Sequence, residues 1–226
     1  MSLSFINTII FDLDDTLLDR EQAIEKLFLV LLEKFYKNVK HTNKNEMLRR
    51  FKEYDKKNYG INDKTRVLEP FFNEFPTKRI VSQYAMQDFW NTNLPLCFAV
   101  DETIIDFLNS LKEQYQLAII TNGSTERQYA KIFNTNLNNY FEQVFISEEV
   151  GFTKPDRRIF EVALNKLNIQ PEYVLFIGDD LEKDIKGCQN ANIKGIWFNP
   201  LSLENHTDIK PYAEIKSLNE LLNYLS

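Results

Sequence analysis

The sequence predicts an α/β fold: a Rossmann-like, three-layer core built on a parallel sheet, with an inserted all-helical cap domain. Three observations carry this. Short apolar runs rich in β-branched and aromatic residues occur once near the start and repeatedly in the second half, as in strands buried on both faces. Stripes of helical period separate the later runs, and strand alternating with helix implies parallel βαβ units. The stretch 20–92 shows helical period throughout and no strand period.

In chain order, Thr8–Phe11 is the first strand, and it opens into Asp12-Leu13-Asp14-Asp15-Thr16. Ionised carboxylates are costly in a dry site without a cation or donors. They therefore belong at the strand's carboxyl end, where open α/β sheets bind ligands. Arg20 to Tyr36 carries the stripe Ala23, Ile24, Leu27, Phe28, Leu31, Leu32 and Phe35. A Lys/Asn-rich turn, Lys37 to Asn45, leads to a second stripe with Met47, Leu48, Phe51 and Tyr54. Helical material through Val67 to Phe75 is broken by Pro76, and Ile80, Tyr84, Phe89 and Trp90 suggest one more helix. Asp101 is placed to cap a helix bearing Ile104, Ile105, Leu108 and Leu111. Strands follow at Leu117–Ile120, Val144–Ile146, Tyr173–Ile177 and Gly195–Phe198. Helices come between them, through Tyr129, Ile132 and Phe133, through Ile159 to Leu167, and through Ile185 and Ala191, with a last short one at Leu218 to Leu222. The expected domains are a core of residues 1–19 and 93–226 and a cap of residues 20–92.

The net charge of −6 has no basic block within it, which argues against nucleic acid as a partner. The longest apolar run, Leu27 to Leu32, falls far short of the roughly 20 residues of a membrane span. With no charged-then-apolar leader at the start, a cytoplasmic protein is expected, as a monomer or weak homodimer. Cys97 and Cys188 form no Cys-x-x-Cys pair and are expected as free buried or half-buried thiols. His41 and His206, isolated in polar surroundings, are expected at the surface.

Right-handed crossovers place all strand-end loops along one edge of the sheet. That edge collects Asp12 and Asp14, Thr121-Asn122-Gly123-Ser124, Lys154, and Asp179 with Asp184. Each cluster alone reads equally well as a turn, a helix cap or a surface lysine. Together they fit phosphoryl transfer. Several carboxylates at close range need a compensating charge, which a hard divalent cation supplies. Lys154 balances a nucleophilic carboxylate and phosphate oxygens. The Thr121 hydroxyl and the backbone N–H groups of Asn122 and Gly123 form an anion cradle. One carboxylate can attack phosphorus while a second protonates the leaving oxygen and later activates water.

Asp12-Leu13-Asp14-Asp15-Thr16, Thr121-Asn122-Gly123, Gly151-Phe152-Thr153-Lys154-Pro155 and Gly178-Asp179-Asp180 with Asp184 resemble the four motifs of the haloacid dehalogenase superfamily. The spacing resembles its phosphatase branch with a helical cap after the first motif. Ile146-Ser147-Glu148-Glu149-Val150-Gly151 before Lys154-Pro155 is similar to bacterial members acting as 5′-nucleotidases. The resemblance implies a Mg²⁺-dependent hydrolase of a small phosphorylated metabolite, first among them a nucleoside 5′-monophosphate. It implies Asp12 as nucleophile and metal ligand, and Asp14 as general acid/base lending Mg²⁺ its backbone carbonyl. It further implies Thr121 and Asn122 on the phosphate, Lys154 orienting Asp12 and the transferring group, Asp179 on the metal, and Asp184 behind the ligands or as an outer one. Whether Asp179 or Asp180 faces the metal stays open, Asp179 being favoured by position, and Asp15 is expected to be structural or solvent-facing. The stretch between Gly123 and Thr153 is too short for a second cap, so the helical insertion is expected to be the only lid and to set substrate choice. The alternatives are a phosphosugar phosphatase or phosphomutase, a 2-haloacid dehalogenase, and a regulatory phosphate-binding protein with a dead site. Asp14 and the acidic 179–184 loop speak against the dehalogenase, and the complete set of motif residues against the dead site.

Overall fold

The computed structural model describes residues 3, 5–36 and 41–225; the side chains of residues 41 and 42 lie outside the description, and with them the surface expectation for His41. Contacts divide the chain into two compact units, Met1–Asp19 with Val100–Ser226, and Arg20–Ala99.

The first unit is built on six parallel strands: β1 (Thr8–Phe11), β2 (Gln116–Thr121), β3 (Gln143–Ile146), β4 (Val174–Gly178), β5 (Lys194–Phe198) and β6 (Ala213–Ile215). Their order is β3-β2-β1-β4-β5-β6. The chain steps outward from β1 to β3 and then returns to β4 on the other side of β1, a reversal of the kind that opens a ligand crevice at the carboxyl edge. All four residues of β1 are buried, which explains its unbroken apolar run. The register sets Phe11 beside Ile119 on one neighbour and Ile177 on the other.

In the second unit, α1 (Arg20–Phe35), α2 (His41–Lys57), α3 (Thr65–Glu74) and α4 (Gln83–Cys97) bury an aromatic centre. Phe28, Phe51, Phe71 and Trp90 are each essentially inaccessible, and Phe51 lies 5.4 Å from Phe71 and 5.8 Å from Trp90 between ring centres. Arg20 forms a two-pronged pair with Asp55, at 2.5 and 2.8 Å, beneath the Tyr59 ring.

Helices cover the sheet on both faces, as the alternation of β1 requires. On one face Ile10, Ala118, Ile120 and Phe176 pack against Ile159, Phe160, Ala163 and Leu164. On the other, Phe11 meets Phe107 edge-on at 6.2 Å. The second face is covered by α5 (Glu102–Lys112), whose first turn is capped by the Asp101 carboxylate accepting from the Thr103 N–H, as its sequence position suggested. After β2 comes α6 (Thr125–Asn134); after β3, α7 (Ser147–Val150) and α8 (Arg157–Leu167). A π-helical stretch, Leu181–Lys186, runs into α9 (Gly187–Asn190).

Several local expectations need correction. Residues 41–45, expected in a turn, belong to α2, and residues 37–40 of that expected turn lie outside the described residues. Ile80 stands wholly exposed ahead of α4, which begins at Gln83 behind the Ser82 cap. The same helix continues past Thr92 to Cys97, with Pro95 inside it. Strand β6 and the one-turn α7 were too short to leave a period. Cys97 and Cys188 are free and buried, and His206 is exposed. Among the described residues no helix is long and apolar enough to cross a membrane.

Candidate active site

The ladder of β1 runs one residue past its end, where the Asp12 N–H donates to Ile177 O at 2.9 Å. Asp12 therefore emerges at the carboxyl edge between Thr121, last in β2, and Asp179, the first residue beyond β4. Lys154 arrives from the loop between α7 and α8.

That lysine is almost fully buried, and its Nζ lies 2.5 Å from Asp12 Oδ1 and 2.6 Å from Asp184 Oδ1. Burial alone would lower the Lys154 pKa, but Asp12 and Asp184 outweigh it and hold the group above the ordinary lysine range. Asn122 fixes where the lysine sits: its Oδ1 accepts from Lys154 N at 2.9 Å and its Nδ2 donates to Lys154 O at 3.0 Å. Both polar ends of that amide thus engage the main chain of Lys154.

Oxygens of Asp12, Asp179 and Asp184 all lie within 4.8 Å of one another. Burial pushes Asp12 up to about 7; Lys154 opposes the rise, while Asp184 and Asp14 add to it. Burial, then Asp12, Asp184 and Asp15, push Asp179 up to about 8. Asp179 is steadied by Thr16 Oγ1, which donates to its Oδ1 at 3.3 Å, and by Trp197 Nε1, which donates to its main-chain oxygen at 2.8 Å. Asp180 turns the other way. Its carboxylate accepts from the N–H groups of Glu182 and Lys183 and from Lys183 Nζ, so it caps the π-helical stretch. Asp184 Oδ2 in turn accepts from Asp180 N at 3.1 Å. Gly178 makes room for this: a Cβ there would come within 2.4 Å of Asp184 Oδ2. Once ionised, three carboxylates beside one ammonium carry surplus negative charge on hard oxygen donors, and this donor set fits a divalent cation such as Mg²⁺. Asp184, expected behind the ligands or as an outer one, has an oxygen within 4.8 Å of oxygens of both other carboxylates.

The Asp14 carboxylate points to α6, a helix whose contribution the sequence reading missed. Lys131 Nζ is 2.7 Å from each Asp14 oxygen, and Gln128 Nε2 is 3.1 Å from Oδ2. The same Gln128 Nε2 donates to Thr121 Oγ1 at 2.7 Å, leaving the Thr121 hydroxyl proton to point elsewhere. A signal existed in the sequence: Gln128 and Lys131 lie three apart on the stripe that buries Ile132, directly after the Thr121 loop. The Gly123 N–H, expected in an anion cradle, donates to Ser147 Oγ at 3.0 Å. At the start of α6 the side chain of Ser124 forms no cap, and Glu148 accepts from Thr125 N at 2.8 Å. Asp15 adopts a left-handed backbone at φ 62, and its N–H donates to Leu18 O.

Known proteins can be set against this geometry. A family model described as haloacid dehalogenase-like hydrolase matches residues 9–198. Glyceraldehyde 3-phosphate phosphatase of Pyrococcus furiosus is 31% identical over 97% of this chain and 93% of its own. Pyrimidine 5′-nucleotidase PynA of Streptococcus pneumoniae is 43% identical, over 53% of this chain and 52% of its own. The crystal structure of the HAD-hydrolase YfnB from Bacillus subtilis, bound to magnesium, superposes with a TM-score of 0.81 at 26% identity, covering 98% of this chain and 99% of that one. The family match runs from β1 to the end of β5 and so takes in every strand-end loop that meets at Lys154. The chain belongs to the haloacid dehalogenase-like hydrolases.

Proposed function

We propose that this protein is a Mg²⁺-dependent phosphomonoester hydrolase that works through an aspartyl-phosphate on Asp12. The observation that carries the reading is the Lys154 ammonium held between Asp12 and Asp184, with Asp179 alongside. Relatives named as phosphatases and nucleotidases support the reaction class.

Asp12, Asp179 and the main-chain carbonyl of Asp14 would hold the metal, with Asp184 as a further carboxylate at the same cluster. When bound, Mg²⁺ supplies positive charge to the transferring group and relieves repulsion among the carboxylates. The remaining chemistry belongs to the chain. An Asp12 oxygen attacks phosphorus and the bond to the leaving oxygen breaks, with Asp14 giving that oxygen its proton. Asp14 then takes a proton from water, whose oxygen attacks phosphorus and releases Asp12 and inorganic phosphate. Lys154 and the Thr121 hydroxyl stabilise the phosphoryl oxygens, and Asn122 keeps Lys154 in place. The choice of leaving group is assigned to the helical insertion.

The substrate is a small phosphorylated metabolite, and a nucleoside 5′-monophosphate is the preferred reading, supported by the higher identity to a pyrimidine 5′-nucleotidase over about half of each chain. A phosphorylated small sugar is the second reading, favoured by the relative that aligns over nearly the full length and is named a glyceraldehyde 3-phosphate phosphatase. The test is phosphate release from nucleotides, sugar phosphates and p-nitrophenyl phosphate, with Mg²⁺ and with EDTA. Metal-dependent release concentrated on nucleoside monophosphates supports both chemistry and substrate. Release from sugar phosphates keeps the mechanism and moves the substrate to the second reading. A folded protein that releases phosphate from nothing overturns the proposal.

A further inference from the structure

We propose that Lys131 and Gln128 are positioning residues for Asp14, coupling the acid/base carboxylate to the phosphate-holding Thr121. This rests on the reaction proposed above. Lys131 is buried, yet its ammonium lies at the same 2.7 Å from both oxygens of Asp14, a symmetric seat that fixes the plane and direction of the carboxylate. Burial alone gives no reason for a lysine here, since a methionine would fill similar space with no charge to desolvate. Gln128 supplies the second constraint. One nitrogen reaches Asp14 Oδ2 at 3.1 Å and Thr121 Oγ1 at 2.7 Å, so the group that exchanges the proton and the group that holds the phosphate share an anchor.

The local fold is shaped around that anchor. Gln128 and Lys131 lie one turn apart on the buried stripe of α6, and the loop ahead of them passes through Gly123 at φ +152. A Cβ at Gly123 would approach Gln128 Cγ and Cδ to 3.0 Å, so the bare glycine lets the glutamine side chain lie against the loop. Neither Lys131 nor Gln128 belongs to the Asp12, Asp179 and Asp184 cluster. Their effect on the reaction passes through Asp14 and Thr121.

A group that places the acid matters most when the leaving oxygen needs a proton. The p-nitrophenolate ion leaves without one; an alkoxide does not. The experiment compares kcat/KM, which reports steps through departure of the leaving group, for p-nitrophenyl phosphate and for the alkyl monophosphate that the wild type hydrolyses fastest, uridine 5′-monophosphate on the reading above. Lys131→Met is expected to lose about a hundredfold on the alkyl ester, the scale of a displaced general acid, and less than about tenfold on the aryl ester. Lys131→Arg, which keeps a two-pronged donor to Asp14, is expected to recover most of the loss. Should Lys131→Met fail to fold, Gln128→Leu exchanges one neutral side chain for another and is expected to lose activity on both esters through Thr121, and more on the alkyl ester through Asp14. Equal losses on both esters, or none, overturn the inference while leaving the phosphatase reading intact. A wild type that hydrolyses neither ester overturns that reading, and the inference with it.

Discussion

Lys154 holds its Nζ 2.5 Å from Asp12 Oδ1 while bridging at 2.6 Å to Asp184, so one ammonium joins the loop after β1 to the π-helical stretch that follows β4. The arrangement follows from topology. A parallel sheet brings its carboxyl ends to one edge, and a reversal of strand order beside β1 opens that edge to a ligand. Carboxylates gathered there repel one another, and the buried lysine is the protein's own partial answer.

Removing that answer has a predictable effect. Lys154→Met leaves Asp12 and Asp184 without their shared cation in a buried site, and breaking a buried pair from one side costs about 3–5 kcal/mol. Urea unfolding at pH 8 is expected to show a loss of that order, with turnover down at least about a thousandfold. A variant as stable as the wild type would mean that the bridge contributes little to the fold.

Gly178 tests the acidic loop without touching a charge. A methyl group there would sit 2.4 Å from Asp184 Oδ2 and 2.6 Å from its Cβ, and Asp184 must move to admit it. Gly178→Ala is expected to weaken Mg²⁺ binding at least about tenfold in calorimetric titration, the scale seen when a support for a metal site is lost. Unchanged affinity would remove Asp184 from the metal site.

Asp12→Asn separates nucleophilic from structural roles. The neutral amide cannot form the aspartyl-phosphate, so turnover is expected to be abolished. The substitution also removes one charge from a crowded cluster, so the fold is expected to survive with little change in urea midpoint. Near-full activity in this variant would exclude covalent catalysis by Asp12.

The parts legible in the sequence were those with a repeating physical signal. The buried runs at Thr8–Phe11 and near Leu117 marked β1 and β2, and the polar residues closing each run marked the catalytic edge. Position favoured Asp179 over Asp180 without deciding between them, because the difference lies in which carboxylate caps the stretch that follows. Asn122 was readable as a motif residue but not as a clamp on Lys154, a contact across 32 positions of chain. Lys131 escaped notice because a lysine on a helix is ordinarily solvated, and the carboxylate it meets, Asp14, lies 117 positions away in the loop after β1.

The carboxylates also predict how metal and acidity interact. Burial holds Asp12 near 7 and Asp179 near 8, against an ordinary value of 3.8. Between about pH 4 and pH 8 the folded protein therefore keeps protons that the unfolded chain has lost, and without metal these two groups make stability fall as pH rises through that window. A cation that needs both groups ionised must displace their protons, so its affinity rises with pH over the same range. The Mg²⁺-induced gain in melting temperature, measured against EDTA, is expected to be larger at pH 8.5 than at pH 5.5. Calorimetry near pH 6 in buffers of different ionisation enthalpy is expected to detect net proton release as Mg²⁺ binds. An equal thermal gain at both pH values, with no proton release, would mean that the carboxylates are already ionised before the metal arrives, and that Lys154 alone carries the compensating charge.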